Sequence, residues 1–191
     1  MINRRQFMAL GLVSFATMQL SAKANAHHSA KYKNFKVDKK YLPQSVRYTG
    51  YKPGTIVVDT KNHFLYLVQP WGKARRYGIG VGKAGLAFKG TAKIKRKAEW
   101  PSWTPTANMI KREPRKYKRY AGGVPGGPNN PLGARALYLY KGNRDTYYRI
   151  HGTTQPDSIG RSVSNGCIRM INDHVVDLYE RVSIGATVVV L

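Results

Sequence analysis

Six prolines between Trp100 and Pro131 set the first limit on this fold. Pro101, Pro105, Pro114, Pro125, Pro128 and Pro131 each lock φ and remove a backbone donor. The glycine steps at Gly122-Gly123 and Gly126-Gly127 loosen the chain between them. No regular helix or central strand is expected there. A loop this long in a compact domain is usually functional or disordered. The core must therefore come from the segments on either side.

Those segments read mostly as β. Thr55–Asp59 and His63–Val68 are β-branched and aromatic runs around Thr60-Lys61-Asn62, a hairpin signal. Arg75–Val81 and Thr91–Lys97 predict two more strands. In the second, Ala92, Ile94 and Arg96 share one face, and Lys93, Lys95 and Lys97 the other. Arg135–Tyr140 and Tyr147–His151 flank Gly142-Asn143, another hairpin signal. Thr187–Leu191 is a continuous apolar strand, expected to be buried on both faces. One helix stands out, from Val175, Leu178 and Val182 at i, i+3 and i+7. Asn172 or Asp173 can cap its start, and Gly185 lies just past its end. The chain is thus expected to be mainly β, with one C-terminal helix and a long proline- and glycine-rich loop.

The N-terminus bears on destination. Arg4-Arg5 precedes an apolar stretch over residues 7–20, and Ala24-Asn25-Ala26 forms an A-x-A cleavage site. The stretch is too short for a membrane span. Asn3-Arg4-Arg5-Gln6-Phe7-Met8 is similar to a twin-arginine export signal, and Lys23 suits that route. Residues 1–26 are read as a signal peptide, 27–52 as a basic, partly extended lead-in and 53–191 as one catalytic domain. With no cysteine near the cleavage site, a lipoprotein is excluded. A copper site at His27-His28 would need a further ligand, and none is placed nearby, so these residues head a mobile tail.

Lys and Arg outnumber Asp and Glu by 33 to 9, a formal charge of +24. Cleavage would remove Arg4, Arg5 and Lys23, leaving 24 − 3 = +21. Such a surface attracts polyanions. Export counts against nucleic acid as the partner, and no nucleic-acid motif is present.

Cys167 is the single cysteine, so no internal disulfide is open to it. It is a small buried hydrophobe, an intermolecular link or a nucleophile. A nucleophilic thiol needs a base, because few free thiols are ionised at neutral pH. His63 opens a hairpin strand. His174 stands at a helix start, where solvation is expected. His151 ends a strand before Gly152, where an imidazole can point into a cleft. Gly166 lets backbone approach a substrate closely, and the amides near Cys167 could receive an oxyanion. One cysteine and scattered histidines lack metal-ligand spacing, so neither a metal nor a cofactor is implied.

His151-Gly152-Thr153 followed by Ser164-Asn165-Gly166-Cys167-Ile168-Arg169-Met170 resembles the signature of the L,D-transpeptidases with a YkuD-type catalytic domain. Val81-Gly82-Lys83-Ala84-Gly85, Trp103-Thr104-Pro105 and Asn130-Pro131-Leu132-Gly133 agree in order, and the likeness runs from Pro53 to Leu191. Many relatives carry histidine where this chain has Asn165. The resemblance implies an irregular β-sandwich with a cleft holding Cys167. It also implies an enzyme that cuts before the terminal D-alanine of a peptidoglycan tetrapeptide stem and transfers the acyl group to an amine. The acceptor would be another stem's diamino acid, a lysine of an outer-membrane lipoprotein or a free D-amino acid, and the setting the periplasm. Transfer to water would make the chain an L,D-carboxypeptidase. A non-catalytic wall-binding protein is the third reading, opposed by intact Cys167 and His151.

On that resemblance Cys167 is the nucleophile and His151 its base, oriented by the Gly152 carbonyl. The amides of Gly166 and Cys167, beside Asn165, receive the oxyanion. Arg169 takes a stem carboxylate or braces the loop through Asp157 or Asp173. Ser164 lies at the substrate-binding end of the motif, bonding within the loop rather than reacting. Tyr138 and Trp103 are packing or cleft wall.

Overall fold

The structure is a computed structural model and describes residues 35–191. The export signal and His27-His28 lie outside the described residues. The fold is mostly β. Eleven strands form: β1 Gln44–Arg47, β2 Ile56–Asp59, β3 Phe64–Gln69, β4 Lys73–Gly78, β5 Val81–Gly82 and β6 Gly90–Glu99. After the proline-rich stretch come β7 Arg135–Lys141, β8 Arg144–His151, β9 Ser162–Ser164, β10 Ile168–Arg169 and β11 Thr187–Val190. Nine join one sheet in the order β1-β4-β3-β2-β11-β6-β7-β8-β10, and β5 pairs with β9 separately.

That sheet curls until its ends meet. Gly80, just past β4, exchanges backbone hydrogen bonds of 2.9 and 2.8 Å with Arg169 of β10. One core fills the space within. Ile56, Val58, Leu65, Leu67, Tyr77, Ile94, Leu137, Leu139, Ile150 and Ile168 supply it from the strands. Each set alternates along its strand, as a half-buried pleat requires. Burial of each such side chain stabilises the fold by about 1.5–3 kcal/mol before ordering costs. The α3 helix, Asn172–Arg181, closes the core with Val175 and Leu178. The both-face burial expected of the last strand is not found: in β11, paired on both edges, Val188 and Val190 are buried, Thr187 and Val189 are half-buried on the other face, and Leu191 is exposed.

Four further expectations need correction. Short helices do form inside the proline-rich stretch: α1 Ala107–Arg112 and α2 Pro114–Tyr117. They fit because they are brief, because Thr106 caps α1 through the Met109 amide, and because Pro114 sits at the first turn, where no N–H is needed. The lead-in, by contrast, is partly extended as expected, since β1 pairs antiparallel with β4. In β6 the register shifts between Ile94 and Arg96. That bulge turns Lys97 to the side of Ile94, where its ammonium donates to the Tyr179 and Val182 carbonyls at 2.6 and 2.7 Å. Arg96 instead lies over the Tyr138 ring. Neither Asn172 nor Asp173 caps α3; Ile171 holds that place with no side-chain bond. His174 is buried, not solvated, beside Tyr77. The start of α3 packs under the sheet, so its first turn is interior.

Candidate active site

A short parallel pairing assembles the site. In β10 against β8, Ile168 stands opposite Ile150 and Arg169 opposite His151. Cys167 immediately precedes β10, so the pairing brings it beside the end of β8. Sixteen residues of sequence thereby separate two side chains that line one cleft of about 1110 Å³. Of the expected site residues, Cys167, His151, Asn165, Arg169 and Ser164 line it, as does Trp103. His63, His174 and Tyr138 do not. His63 instead bonds Ser162 Oγ at 3.1 Å.

His151 is buried, and its Nδ1 lies 2.5 Å from the Gly152 carbonyl oxygen. A carbonyl only accepts, so Nδ1 carries the hydrogen and the other ring nitrogen keeps its lone pair. Burial, aided by the positive charge of Arg169, lowers the His151 pKa to about 3. The imidazole is therefore neutral at any physiological pH. The half-buried Cys167 thiol is pushed up by desolvation, against the Arg149 backbone bond and the charges of Arg149 and Arg169, which lower it. Its Sγ lies 3.8 Å from the Tyr147 carbonyl. The resting pair is thus neutral thiol and neutral imidazole, with no standing ion pair.

Tyr147 has φ 62°, in the left-handed region that few non-glycine residues adopt. Asp145 Oδ1 accepts from the Tyr147 amide at 2.8 Å, and Asp145 grips the Arg149 guanidinium at 2.7 and 2.8 Å. A register shift in the β7–β8 pairing accompanies this turn. Together they aim the Tyr147 carbonyl at the thiol.

The nucleophile loop is braced from within. Ser164 is buried; its hydroxyl donates to the Cys167 carbonyl at 2.6 Å and accepts from the Gly166 amide at 3.1 Å. The bonding within the loop expected of Ser164 is present, and one correction follows. Ser164 is occupied in the loop and has no hydroxyl proton to offer a substrate. The Gly166 amide is likewise engaged, so it is not an open oxyanion donor. Gly166 has φ +125°, and a Cβ there would lie 2.6 Å from both the Leu86 carbonyl oxygen and the Tyr148 ring. Only glycine fits.

Arg169 forms no ion pair with Asp157 or Asp173 within 4 Å; its Nη1 donates to Gln155 Oε1 at 3.1 Å. Asn165 is held by two bonds to the proline-rich stretch. Arg112 donates to its Oδ1 at 2.8 Å, and its Nδ2 donates to the Tyr117 hydroxyl at 2.6 Å. Trp103 stacks edge-on against Tyr117 and Tyr120 behind this contact.

Sequence reasoning missed Asn172. Its buried Oδ1 accepts from the Ala134 and Thr153 amides at 3.2 and 3.1 Å, clasping the segment after His151. A Cβ on Gly152 would strike this oxygen, which explains glycine there. No sequence signal marks that role, since an asparagine at a helix start reads as a cap. Among the described residues no three His, Cys, Asp or Glu side chains gather as a metal site. No helix among them is long and apolar enough to cross a membrane.

The family profile described as the L,D-transpeptidase catalytic domain, YkuD, matches residues 53–190. A putative L,D-transpeptidase from the ATP synthase subunits region of Fuscovulum blasticum is 33% identical over 207 residues, covering 100% of this chain and 98% of that one. The probable L,D-transpeptidase ErfK/SrfK of Escherichia coli is 34% identical over 153 residues, covering 78% of this chain but 46% of the relative. The chain therefore spans less than half of that longer protein. A crystal structure from Brucella melitensis, described as a probable carnitine operon oxidoreductase, is 61% identical with a TM-score of 0.56, covering 81% of this chain and 96% of that one.

Proposed function

This chain belongs to the L,D-transpeptidase catalytic domain family, and we propose that it acylates Cys167 with a peptidoglycan tetrapeptide stem and passes the acyl group to an amine. The observation that carries this reading is the neutral His151, fixed by the Gly152 carbonyl, in the same cleft as the Cys167 thiol.

The free nitrogen of His151 takes the thiol proton as sulfur attacks the carbonyl before the terminal D-alanine. A neutral imidazole is able to do so; a protonated one is not. The Cys167 amide is the donor left for the developing oxyanion, the Gly166 amide being turned to Ser164. The carbon–nitrogen bond then breaks, and His151 returns its proton to the departing D-alanine amine. In the second half an acceptor amine attacks the thioester, loses a proton to His151 and forms the new amide. That proton goes back to sulfur, and the site is restored. Arg169, whose guanidinium bonds the neutral Gln155, holds a stem carboxylate.

The acceptor is the amine of another stem's diamino acid, a lysine of an outer-membrane lipoprotein or a free D-amino acid. The export signal and the basic surface favour a periplasmic, wall-associated enzyme. Mass spectrometry of products from a disaccharide-tetrapeptide tests the reading. Cross-linked dimer is expected. Tripeptide alone makes the chain an L,D-carboxypeptidase, and no reaction removes the catalytic reading. In parallel, a carbapenem adduct should appear on wild type and be absent from Cys167→Ser; an adduct on both would overturn Cys167 as nucleophile.

A further inference from the structure

The side chains that line the cleft include five cations, Arg112, Lys116, Arg119, Arg149 and Arg169, and no Asp or Glu. Their partners differ. Asp145 neutralises Arg149 with two bonds. Lys116 has a loose contact with Glu113 at 3.4 Å. Arg112, Arg119 and Arg169 have no carboxylate within 4 Å among the described residues. Arg112 bonds the neutral Asn165, Arg119 lies over the Tyr120 ring, and Arg169 bonds the neutral Gln155.

These three charges stand on two walls. Arg169 belongs to β10, next to the nucleophile, and Arg112 and Arg119 to the helical stretch facing it. Of the three only Arg169 is half-buried, and burying a charge beside a nucleophile without a counter-ion is costly unless a ligand supplies one. Guanidinium groups offer only donors. A carboxylate matches their forked donors with two oxygens and a negative charge, whereas a carboxamide offers one acceptor oxygen and no charge.

We infer that the cleft selects stems bearing free carboxylates on at least two positions and discriminates against stems whose diamino-acid side-chain carboxyl is amidated. This rests on the stem-peptide reading above. One anion is held by Arg169 and the second by the Arg112–Arg119 wall. Arg112 and Arg119 are exposed, so their share is screened by salt.

The test uses two synthetic disaccharide-tetrapeptides that differ only in a free or amidated side-chain carboxyl on the diamino acid. The free acid should have kcat/KM at least about tenfold higher at low salt, mostly through KM. The advantage should shrink at high salt and in Arg119→Gln, a surface substitution that leaves the core untouched. Equal rates for the two stems would overturn the inference while sparing the catalytic reading. An advantage unchanged by both salt and Arg119→Gln would overturn the role given to the helical wall. Failure of both stems to react would remove the stem-peptide reading itself.

Discussion

Asn165 donates its carboxamide to the Tyr117 hydroxyl at 2.6 Å, tying the residue two before the nucleophile to the end of α2. Arg112, at the end of α1, closes the same contact from the other side at 2.8 Å. The proline-rich stretch is thereby latched to the nucleophile loop. Asn165→Ala removes both bonds, and Tyr117→Phe removes one. Each neutral bond contributes about 1 kcal/mol and the charged one somewhat more. Carbapenem acylation should therefore slow about tenfold or more in Asn165→Ala and less in Tyr117→Phe. Neither should lower Tm by more than a few degrees, because the contact lies at the cleft edge, not in the core. Unchanged acylation in Asn165→Ala would dismiss the latch.

His151→Gln keeps a polar side chain but cannot carry a proton at neutral pH. Acylation should fall by at least about 10², the usual worth of general acid–base help. Some rate should survive, and it should climb with pH as hydroxide generates the thiolate. The wild type should behave differently on the acid side. Burial holds the His151 pKa near 3, so the base stays neutral well below the ordinary histidine value. Its acylation rate should be nearly flat from pH 7 to pH 5. A half-maximal point near pH 6.5 in the wild-type profile would contradict a buried neutral base.

How far residues announced this arrangement depends on the range of the interaction. Alternation of Ala92 and Ile94 with Lys93 and Lys95 reports burial directly, because a pleat has period two. The Gly142-Asn143 turn is equally plain, since Lys141 and Arg144 pair across it. The Gly152 carbonyl contact follows from the residue next to His151. What stayed hidden depends on distant neighbours. The β10 pairing rests on two residues, too short for any period. The bulge in β6 reverses Arg96 and Lys97 without a glycine or proline to mark it. Ser164 and Asn172 look like loop and cap residues until the amides they serve, those of Gly166, Ala134 and Thr153, are known.

Gly166→Ala tests how tightly the loop is built. At φ +125° a side chain is strained, and its Cβ would press on the Leu86 carbonyl and the Tyr148 ring. Strain of this kind costs about 1–3 kcal/mol. Thermal unfolding should show a lower Tm, and carbapenem acylation should fall further than Tm predicts, because relief of the clash moves Cys167. A variant with native Tm and native acylation would show that the loop yields freely.

His174 predicts a separate effect on acid stability. It is buried beside Tyr77, its Nδ1 has no hydrogen-bond partner among the described residues, and burial lowers its pKa to about 4. Asp177 opposes the shift and Arg75 reinforces it. In the unfolded chain the same imidazole titrates near 6.5. Between those two values the unfolded state binds the extra proton, so stability falls as pH falls. The loss starts near pH 6.5, reaches about 2 kcal/mol at pH 5 and levels off below pH 4. His151 acts in the same direction over a wider range. Replacing His174 by Phe keeps a flat ring against Tyr77 and removes the titrating group. Urea unfolding at pH 7 and pH 5 should show a clear drop in wild-type stability and a smaller drop in His174→Phe, with carbapenem acylation at pH 7 retained. The same drop in both forms would mean that His174 is already protonated in the folded protein.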